Sequence, residues 1–224
     1  MPKTLCFRPR HNSPGKHDVT GAFAPEADKF LGLHGGKVHA FDNRRPMGAR
    51  RREVLEILRA TPFANYDAVA FFCHGWATGI QAGFTRAHVR ELAEAVRGFG
   101  TDVALYCCST GADPQDSPKE AAGTGENSFA DKLRDALCAL GDVDCSVVAH
   151  STVAHTTKNP HVLFFDGMGS PVGGTGGYYP VAPGSALWRA WRKRLRETDL
   201  RLRMPFMSVA DIHAELLDGT RVNG

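Results

Sequence analysis

Two apolar runs in the sequence each lead into a side chain that takes part in chemistry. Residues 66–76 read YDAVAFFCHGW and contain His74-Gly75, and residues 102–111 read DVALYCCSTG and contain Cys107-Cys108. Each run has the length and apolar character of a buried strand, and about one helix of sequence separates them. Because α/β proteins build their sites along the carboxyl edge of the sheet, the two runs predict a histidine beside a cysteine at that edge.

A thiol beside an imidazole is a nucleophile beside its base. A cysteine thiol has a pKa of ~8.5, so little of it is thiolate at neutral pH unless a histidine or another positive group lies nearby. Histidine titrates near neutral pH and can return a proton to the leaving group. Glycine after the histidine leaves its backbone N–H uncluttered. We therefore expect the N–H groups of Gly75 and Cys108 to form an oxyanion hole.

The pleat of the strand distinguishes the two adjacent cysteines. Cys107 continues the row of Val103 and Leu105, which predicts a core side chain. Cys108 lies where the strand gives way to a turn of small residues, 109–111. We expect this turn to present Cys108 at the edge of the sheet, so Cys108 is the predicted nucleophile.

These motifs resemble those of the caspase-like cysteine peptidases, which include caspases, metacaspases, separase and the bacterial CHAT proteases. The shared order is His-Gly after a strand, then a helix, then a strand that ends in Cys and small residues. The cysteine pair is similar to the metacaspase pattern in which the second cysteine is the nucleophile, and residues 108–111 (CSTG) resemble the C-x-T-G of many CHAT domains. The segments LYCC, GENSFADKL and VVAHST within residues 103–152 also resemble an uncharacterised bacterial caspase-like family.

The resemblance covers about residues 40–166 and implies a function. It implies His74 as the base, Cys108 as the nucleophile and Gly75 as an oxyanion donor in a cysteine endopeptidase, a bacterial regulatory protease. It implies a protein or peptide substrate and no cofactor. The caspase pentapeptide Gln-Ala-Cys-Arg-Gly is absent, and Tyr106 stands where metacaspases have an aspartate, so the caspase preference for aspartate is not implied.

The composition is that of one enzyme-sized globular domain. The chain has 224 residues, of which 42% are hydrophobic and 23% charged, enough for a sizeable core. We expect a single domain over 1–224, with its core at about 1–166 and a C-terminal part, 167–224, formed by a Gly-rich segment and a basic amphipathic helix. The formal net charge of +3 is too small to indicate a nucleic-acid partner.

The cysteines and the apolar runs bear on the compartment. Six cysteines in a chain of this length, mostly in apolar runs, are typical of reduced thiols rather than of a disulfide framework. The first residues resemble no signal peptide, and no segment is apolar over the ~18 residues that a membrane span needs. We therefore expect a cytoplasmic protein without a membrane partner.

Strand-like and helix-like segments alternate along the chain, which is typical of an α/β fold with a mostly parallel sheet. With the resemblance, this predicts a three-layer α/β/α sandwich of the caspase-like type. The predicted strands are 3–8, 37–41, 67–73, 102–107, 145–149 and 161–165, and the predicted helices are 25–33, 49–60, one capped by Thr85 and one capped by Asn127.

Two sets of charged residues are candidates for a substrate pocket. Arg44 and Arg45 follow an early strand and would recognise an acidic side chain, whereas Asp113 and Asp116 follow Cys108 and would recognise a basic one. The sequence does not choose between them. The polar segment 111–126 is expected to be a solvated connection, with activating cleavage at Lys119 as the alternative. Because an intracellular protease must be restrained, we also expect either such activation or a regulatory protein partner.

Two other functions remain open. In an α/β-hydrolase, residues 74–76 would form the oxyanion loop and residues 149–153 the nucleophile elbow around Ser151, with Asp166 and His213 downstream; Val153 violates the small-residue requirement of that elbow. The other alternative is a catalytically silent caspase-like binding module.

Other residues that could do chemistry are expected to be structural. A metal site of Cys73, His74, Cys107 and Cys108 is disfavoured, because adjacent strand residues point to opposite faces and the C-x₂-C spacing of zinc sites is absent. The remaining histidines considered are predicted to be structural or exposed: His88, His150, His155 and His161.

Overall fold

Strands and helices alternate along the chain of this computed structural model. It describes residues 3–11, 21, 23–66, 68–97, 102–115, 125–142, 145–153, 162–166 and 172–174. The strands are β1 (Thr4–Pro9), β2 (Gly36–Phe41), β3 (Ala68–Phe72), β4 (Gly75–Trp76), β5 (Gly79–Ile80), β6 (Phe84–Thr85), β7 (Asp102–Tyr106), β8 (Ser146–His150), β9 (Val162–Asp166) and β10 (Val172–Gly174). The helices are α1 (Phe23–His34), α2 (Met47–Ala60), α3 (Val89–Val96) and α4 (Phe129–Ala139), and 3₁₀ turns lie at Phe63–Asn65 and Arg86–His88.

The fold is α/β with a mostly parallel sheet, as the sequence predicts. The seven-stranded sheet has the order β10-β9-β8-β7-β3-β1-β2. The strands from β8 to β2 in this order run parallel, whereas β9 and β10 each pair antiparallel with their neighbour. Every residue of β3 (AVAFF) is buried, which is typical of a central strand covered on both faces.

The two faces of the sheet pack against different helices. On one face, alternate residues such as Phe7, Phe71 and Leu105 join one apolar core with buried residues of α2, α3 and α4. On the other face, the Phe72 and Tyr106 rings stack with centroids 4.4 Å apart. Phe30 of α1 packs on both of them, at 5.4 and 5.5 Å.

A small antiparallel sheet was not predicted. Strands β4, β5 and β6 pair in that order directly after His74. Each has two residues, too few for an alternating pattern to be visible in the sequence. The chain therefore carries a compact double hairpin between β3 and α3.

The starts of α3 and α4 differ from the prediction. Thr85 caps the 3₁₀ turn through His88, and α3 itself begins at Val89. The cap of α4 is Ser128 and not Asn127, because the Ser128 hydroxyl accepts the Asp131 N–H at 3.1 Å. Asn127 instead takes a left-handed conformation with φ of 62°, which asparagine tolerates better than most residues.

Several predictions fall outside the described residues. They concern Asp116, Lys119, His155, His161 and His213, together with the basic helix in 175–224. Within the C-terminal part, β10 adds a strand beyond the predicted core boundary at residue 166. None of the helices in the described part of the chain has both the length and the apolar character needed to cross a bilayer.

Candidate active site

The strand register brings the segments that carry His74 and Cys108 to the same edge of the sheet. β3 pairs in parallel with β7, and the last pair is Phe72 with Tyr106. One residue further on, the Sγ atoms of Cys73 and Cys107 lie 3.6 Å apart. His74 and Cys108 follow these two residues, beyond the last paired positions of β3 and β7. The predicted histidine and cysteine therefore both lie at the carboxyl edge of the sheet.

Gly75 fits closely against the turn that carries Cys108. A Cβ at Gly75 would lie 2.7 Å from Cys107 Cβ, 2.7 Å from Thr110 Cγ2 and 2.8 Å from the Cys108 carbonyl oxygen. These distances leave no room for a side chain, so residue 75 must be glycine for the two loops to touch. The sequence indicated the backbone freedom of Gly75 but not this contact.

The Gly75 N–H is oriented away from the neighbouring strand. Gln81 N–H donates to the His74 carbonyl at 2.8 Å, so His74 and Gln81 form a hydrogen-bonded antiparallel pair. The next pair, Gly75 with Ile80, is then a non-hydrogen-bonded pair. In such a pair the N–H points away from the partner strand, as an oxyanion donor requires. The other expected donor, Cys108 N–H, belongs to the turn that Gly75 contacts.

The turn after Cys107 is fastened to the end of β8. Ser109 N–H donates to Thr152 O at 3.1 Å, and Gly111 N–H donates to His150 O at 2.8 Å. Ser109 has a φ of 55°, which is uncommon for a residue other than glycine. Strained backbone of this kind clusters at functional sites, and here it directly follows the predicted nucleophile.

The two cysteines have different surroundings. Cys107 is fully buried in the core with Cys73, as the pleat predicts. Burial, and then the hydrogen bond with the Cys73 thiol, raise the pKa of the Cys107 thiol well above its usual value. Such a thiol stays protonated and inert at neutral pH. Cys108 is only half-buried and is therefore the more accessible thiol of the pair.

Phe23 contacts the His74 ring. The ring centroids are 4.8 Å apart at an angle of 87°, so the two rings meet edge to face. Phe23 opens α1 and is almost completely buried. Sequence reasoning missed this residue, because the predicted helix began at Pro25 and no spacing links α1 to His74. Gln81 was also missed, and its only signal was the turn-like glycine content of the segment 75–83.

The first turn of α4 joins the two loops of the site. Phe129 N–H donates to Ala77 O at 2.8 Å, in the hairpin after His74. Ala130 N–H donates to Thr110 O at 3.0 Å, in the turn after Cys108. Helix starts have N–H groups without intrahelical partners, and α4 uses two of its own to hold both loops.

The pocket candidates that the structure describes, Arg44, Arg45 and Asp113, follow different strands of the sheet. Arg45 pairs with Glu53 at 3.6 Å, and Arg44 N–H donates to Asp42 Oδ1 at 3.1 Å. Both arginines follow β2, two strands from β3 in the sheet. Asp113 lies after the Cys108 turn, where its Oδ1 accepts the Gln115 N–H at 3.0 Å. Neither set is eliminated by this placement.

The remaining candidates occupy structural positions. Among the described residues, no three His, Cys, Asp or Glu side chains are arranged to hold a metal ion. His88 Nδ1 accepts the Thr85 N–H at 3.3 Å in the 3₁₀ turn, a contact that fits the predicted structural role. His150 is buried with its ring 6.1 Å from that of Tyr106. Ser151 is buried in a bend after β8.

Comparison of the chain with protein-family models, curated proteins and solved structures found no match. The functional interpretation below therefore depends on the positions and surroundings of the residues themselves.

Proposed function

We propose that the protein is a cysteine endopeptidase of the caspase-like type, with Cys108 as nucleophile and His74 as base. The observation that carries this proposal is the register of β3 and β7, which supports it because the segments that carry His74 and Cys108 leave the sheet at the same carboxyl edge. The three-layer α/β/α arrangement is part of the proposal. It is supported by the contacts of α1 on one face of the sheet and of α2, α3 and α4 on the other.

The reaction proceeds through an acyl-enzyme. Cys108 gives its proton to His74, and the thiolate attacks the carbonyl carbon of the peptide bond. The resulting oxyanion accepts hydrogen bonds from the N–H groups of Gly75 and Cys108. His74 then protonates the leaving amine as the C–N bond breaks, which leaves a thioester. Finally, His74 takes a proton from water, the hydroxide attacks the thioester, and Cys108 is released.

The surroundings of the two thiols support Cys108 as the nucleophile. A nucleophilic thiol must become a thiolate within reach of substrate. Cys107 meets neither condition, because it is fully buried and its pKa is raised. Cys108 is partly accessible, and it lies at the same edge of the sheet as His74.

The proposal includes a protein or peptide substrate, chemistry that needs no cofactor, and a regulatory role in the cytoplasm. A reducing compartment suits a thiol nucleophile. A regulatory protein partner or activating cleavage would restrain the enzyme. If the preferred residue before the cleaved bond is acidic, Arg44 and Arg45 are the pocket candidates; if it is basic, Asp113 and Asp116 are.

Intact-mass labelling of the purified chain with a library of peptidyl acyloxymethyl ketones tests this function. Each reagent alkylates a thiolate and loses its carboxylate. We expect one adduct on the wild-type protein, one adduct on Cys107→Ala, none on Cys108→Ala, and strongly slowed labelling of His74→Ala. The best peptide also reports the preferred residue.

Three results would contradict the proposal. Labelling at Cys107 would reverse the assignment of the two thiols. Labelling of Ser151 by a fluorophosphonate would favour an α/β-hydrolase. A folded wild-type protein that neither reacts with the library nor cleaves peptides would favour a silent binding module.

A further inference from the structure

His74 lies beyond the end of β3, outside the paired residues of the main sheet. β3 pairs with β7 only as far as Phe72, and the small sheet begins at Gly75. A general base must nevertheless be held within a fraction of an ångström of its working position. Contacts from outside the main sheet must therefore fix the backbone at His74.

Gln81 binds both polar backbone groups of His74. Its main-chain N–H donates to His74 O at 2.8 Å. Its side-chain Oε1 accepts the His74 N–H at 3.3 Å. In a regular antiparallel pair both bonds are made by main-chain atoms. Here a side chain makes one of them, so the hydrogen bonding of the His74 backbone depends on which residue stands at position 81.

Arg50 of α2 holds Gln81 in turn. Its Nη1 donates to Gln81 O at 3.0 Å, and its Nε donates to Arg45 O at 2.7 Å. The planar guanidinium thus bridges the start of α2 and the hairpin. A three-residue chain of hydrogen bonds runs from α2 through Gln81 to His74.

Arg51 makes a parallel contact that does not reach His74. Its Nη1 donates to Gly83 O at 3.2 Å, in the same turn of the hairpin. The turn also packs closely on α2, since a Cβ at Gly83 would lie 2.2 Å from Met47 O. Arg50 and Arg51 therefore both dock the hairpin on α2, but only Arg50 binds the residue that binds His74.

We propose that Gln81 is the positioning residue of His74, with Arg50 as its anchor on α2. This inference rests on the proposed function, in which His74 is the base. Gln81 touches neither substrate nor the reacting atoms; it sets the place from which the imidazole reaches Cys108. Its loss lowers kcat while leaving KM nearly unchanged, because substrate contacts remain.

Four variants test the proposal kinetically on a peptide substrate that has the sequence of the best-labelling reagent. Gln81→Met removes the acceptor at similar length, and Gln81→Glu keeps an Oε acceptor. For Gln81→Met we expect kcat to fall about five- to tenfold with KM within about twofold of wild type. Gln81→Glu should recover to within about threefold of wild type. Arg50→Met should behave like Gln81→Met, whereas the matched Arg51→Met should keep the wild-type kcat.

Nuclear magnetic resonance of the His74 ring gives a readout that needs no activity. The ring ¹³C–¹H signal is assigned by its loss in His74→Ala. We expect it to shift or broaden in Gln81→Met and Arg50→Met, and to be unchanged in Arg51→Met. If Gln81→Met does not fold, the comparison of the His74 signal in Arg50→Met and Arg51→Met tests the proposal by itself.

The outcomes separate this inference from the proposed function. Wild-type kcat and His74 signals in folded Gln81→Met would overturn the positioning role. Equal losses in Arg50→Met and Arg51→Met would overturn it too, because they would indicate general docking of the hairpin. If the wild-type protein cleaves nothing but the His74 signal responds as expected, the placement of His74 by Gln81 is supported and the peptidase function is contradicted.

Discussion

Cys107 and Cys108 are the same residue type at adjacent positions, yet the fold gives them different surroundings. Cys107 points into the core, where its Sγ lies 3.6 Å from that of Cys73, whereas Cys108 is half-buried in the turn that follows. Burial raises the pKa of the Cys107 thiol, so its proton is retained. The comparison teaches that position in the pleat, rather than residue type, decides which of two neighbouring thiols is available to react.

The most direct test of this difference between the two cysteines is to remove each thiol separately. Cys108→Ala should lower peptidase activity at least about a thousandfold, because loss of a nucleophile removes the covalent pathway. Cys107→Ala should keep activity within about threefold, since the chemistry does not use the buried thiol. Initial rates on the same peptide check both values. Comparable losses in the two variants would mean that the buried thiol also takes part.

The contact between the two loops gives the next largest effect. In Gly75→Ala, the added methyl group overlaps Cys107 Cβ and Thr110 Cγ2, so the loops must move apart. We expect kcat/KM to fall about a hundredfold and the free energy of unfolding to fall by about 1–3 kcal/mol. Urea unfolding and kinetics measure these changes.

Gly48→Ala is the matched control for that substitution. Gly48 lies near the start of α2, and no heavy atom outside its own helix lies within 4 Å of the Cβ position. The variant should retain activity and be more stable by up to about 1 kcal/mol. If Gly75→Ala is as active and stable as Gly48→Ala, the loops are not in contact.

The buried thiol predicts a pH dependence of stability. Because the folded-state pKa of Cys107 is raised, native protein keeps a proton that the unfolded chain loses above about pH 8.5. Its contribution to the free energy of unfolding is therefore constant below that pH and falls above it, by at most about 1.4 kcal/mol per pH unit. Burial also raises the pKa of Cys6, so the wild-type slope contains both thiols.

Urea unfolding between pH 7 and 10 should show a shallower decline for Cys107→Ala than for wild type. Equal slopes in the two proteins would show that Cys107 titrates normally in the folded state. The buried thiol would then lose the property that distinguishes it from its neighbour.

The smallest expected effect concerns the contact between Phe23 and the ring of His74, the proposed base. Phe23→Leu removes the aromatic edge from the His74 ring and should lower kcat about threefold. Phe30→Leu makes the same change in the same helix, but Phe30 packs on Phe72 and Tyr106. We expect Phe30→Leu to lower stability without lowering kcat. Equal kcat values for the two variants would show that the contact of Phe23 with His74 does not contribute to catalysis.

The sequence predicts the strands that carry the site better than the contacts that tune it. β3 and β7 are continuous apolar runs bounded by polar residues, so their existence, their parallel pairing and the inward direction of Cys107 follow from simple rules. The contact of Phe23 with His74 depends on how α1 returns across the sheet, which no local pattern records.

The hairpin was missed for a different reason. Two-residue strands have no readable period, and the hydrogen bonds of Gln81 depend on the exact register of β4 with β5. Likewise, Asn127 and Ser128 are both good caps, and the structure selects Ser128 through its hydrogen bond with Asp131 N–H and the left-handed backbone of Asn127.

The first turn of α4 has a consequence for how such a site changes over evolution. The N–H groups of Phe129 and Ala130 donate to one carbonyl oxygen from each loop, that of Ala77 on one side and that of Thr110 on the other. Exposed residues of either loop that make none of the contacts described above can be exchanged without disturbing these two hydrogen bonds. In the proposed peptidase, substrate preference would therefore diversify at those positions first.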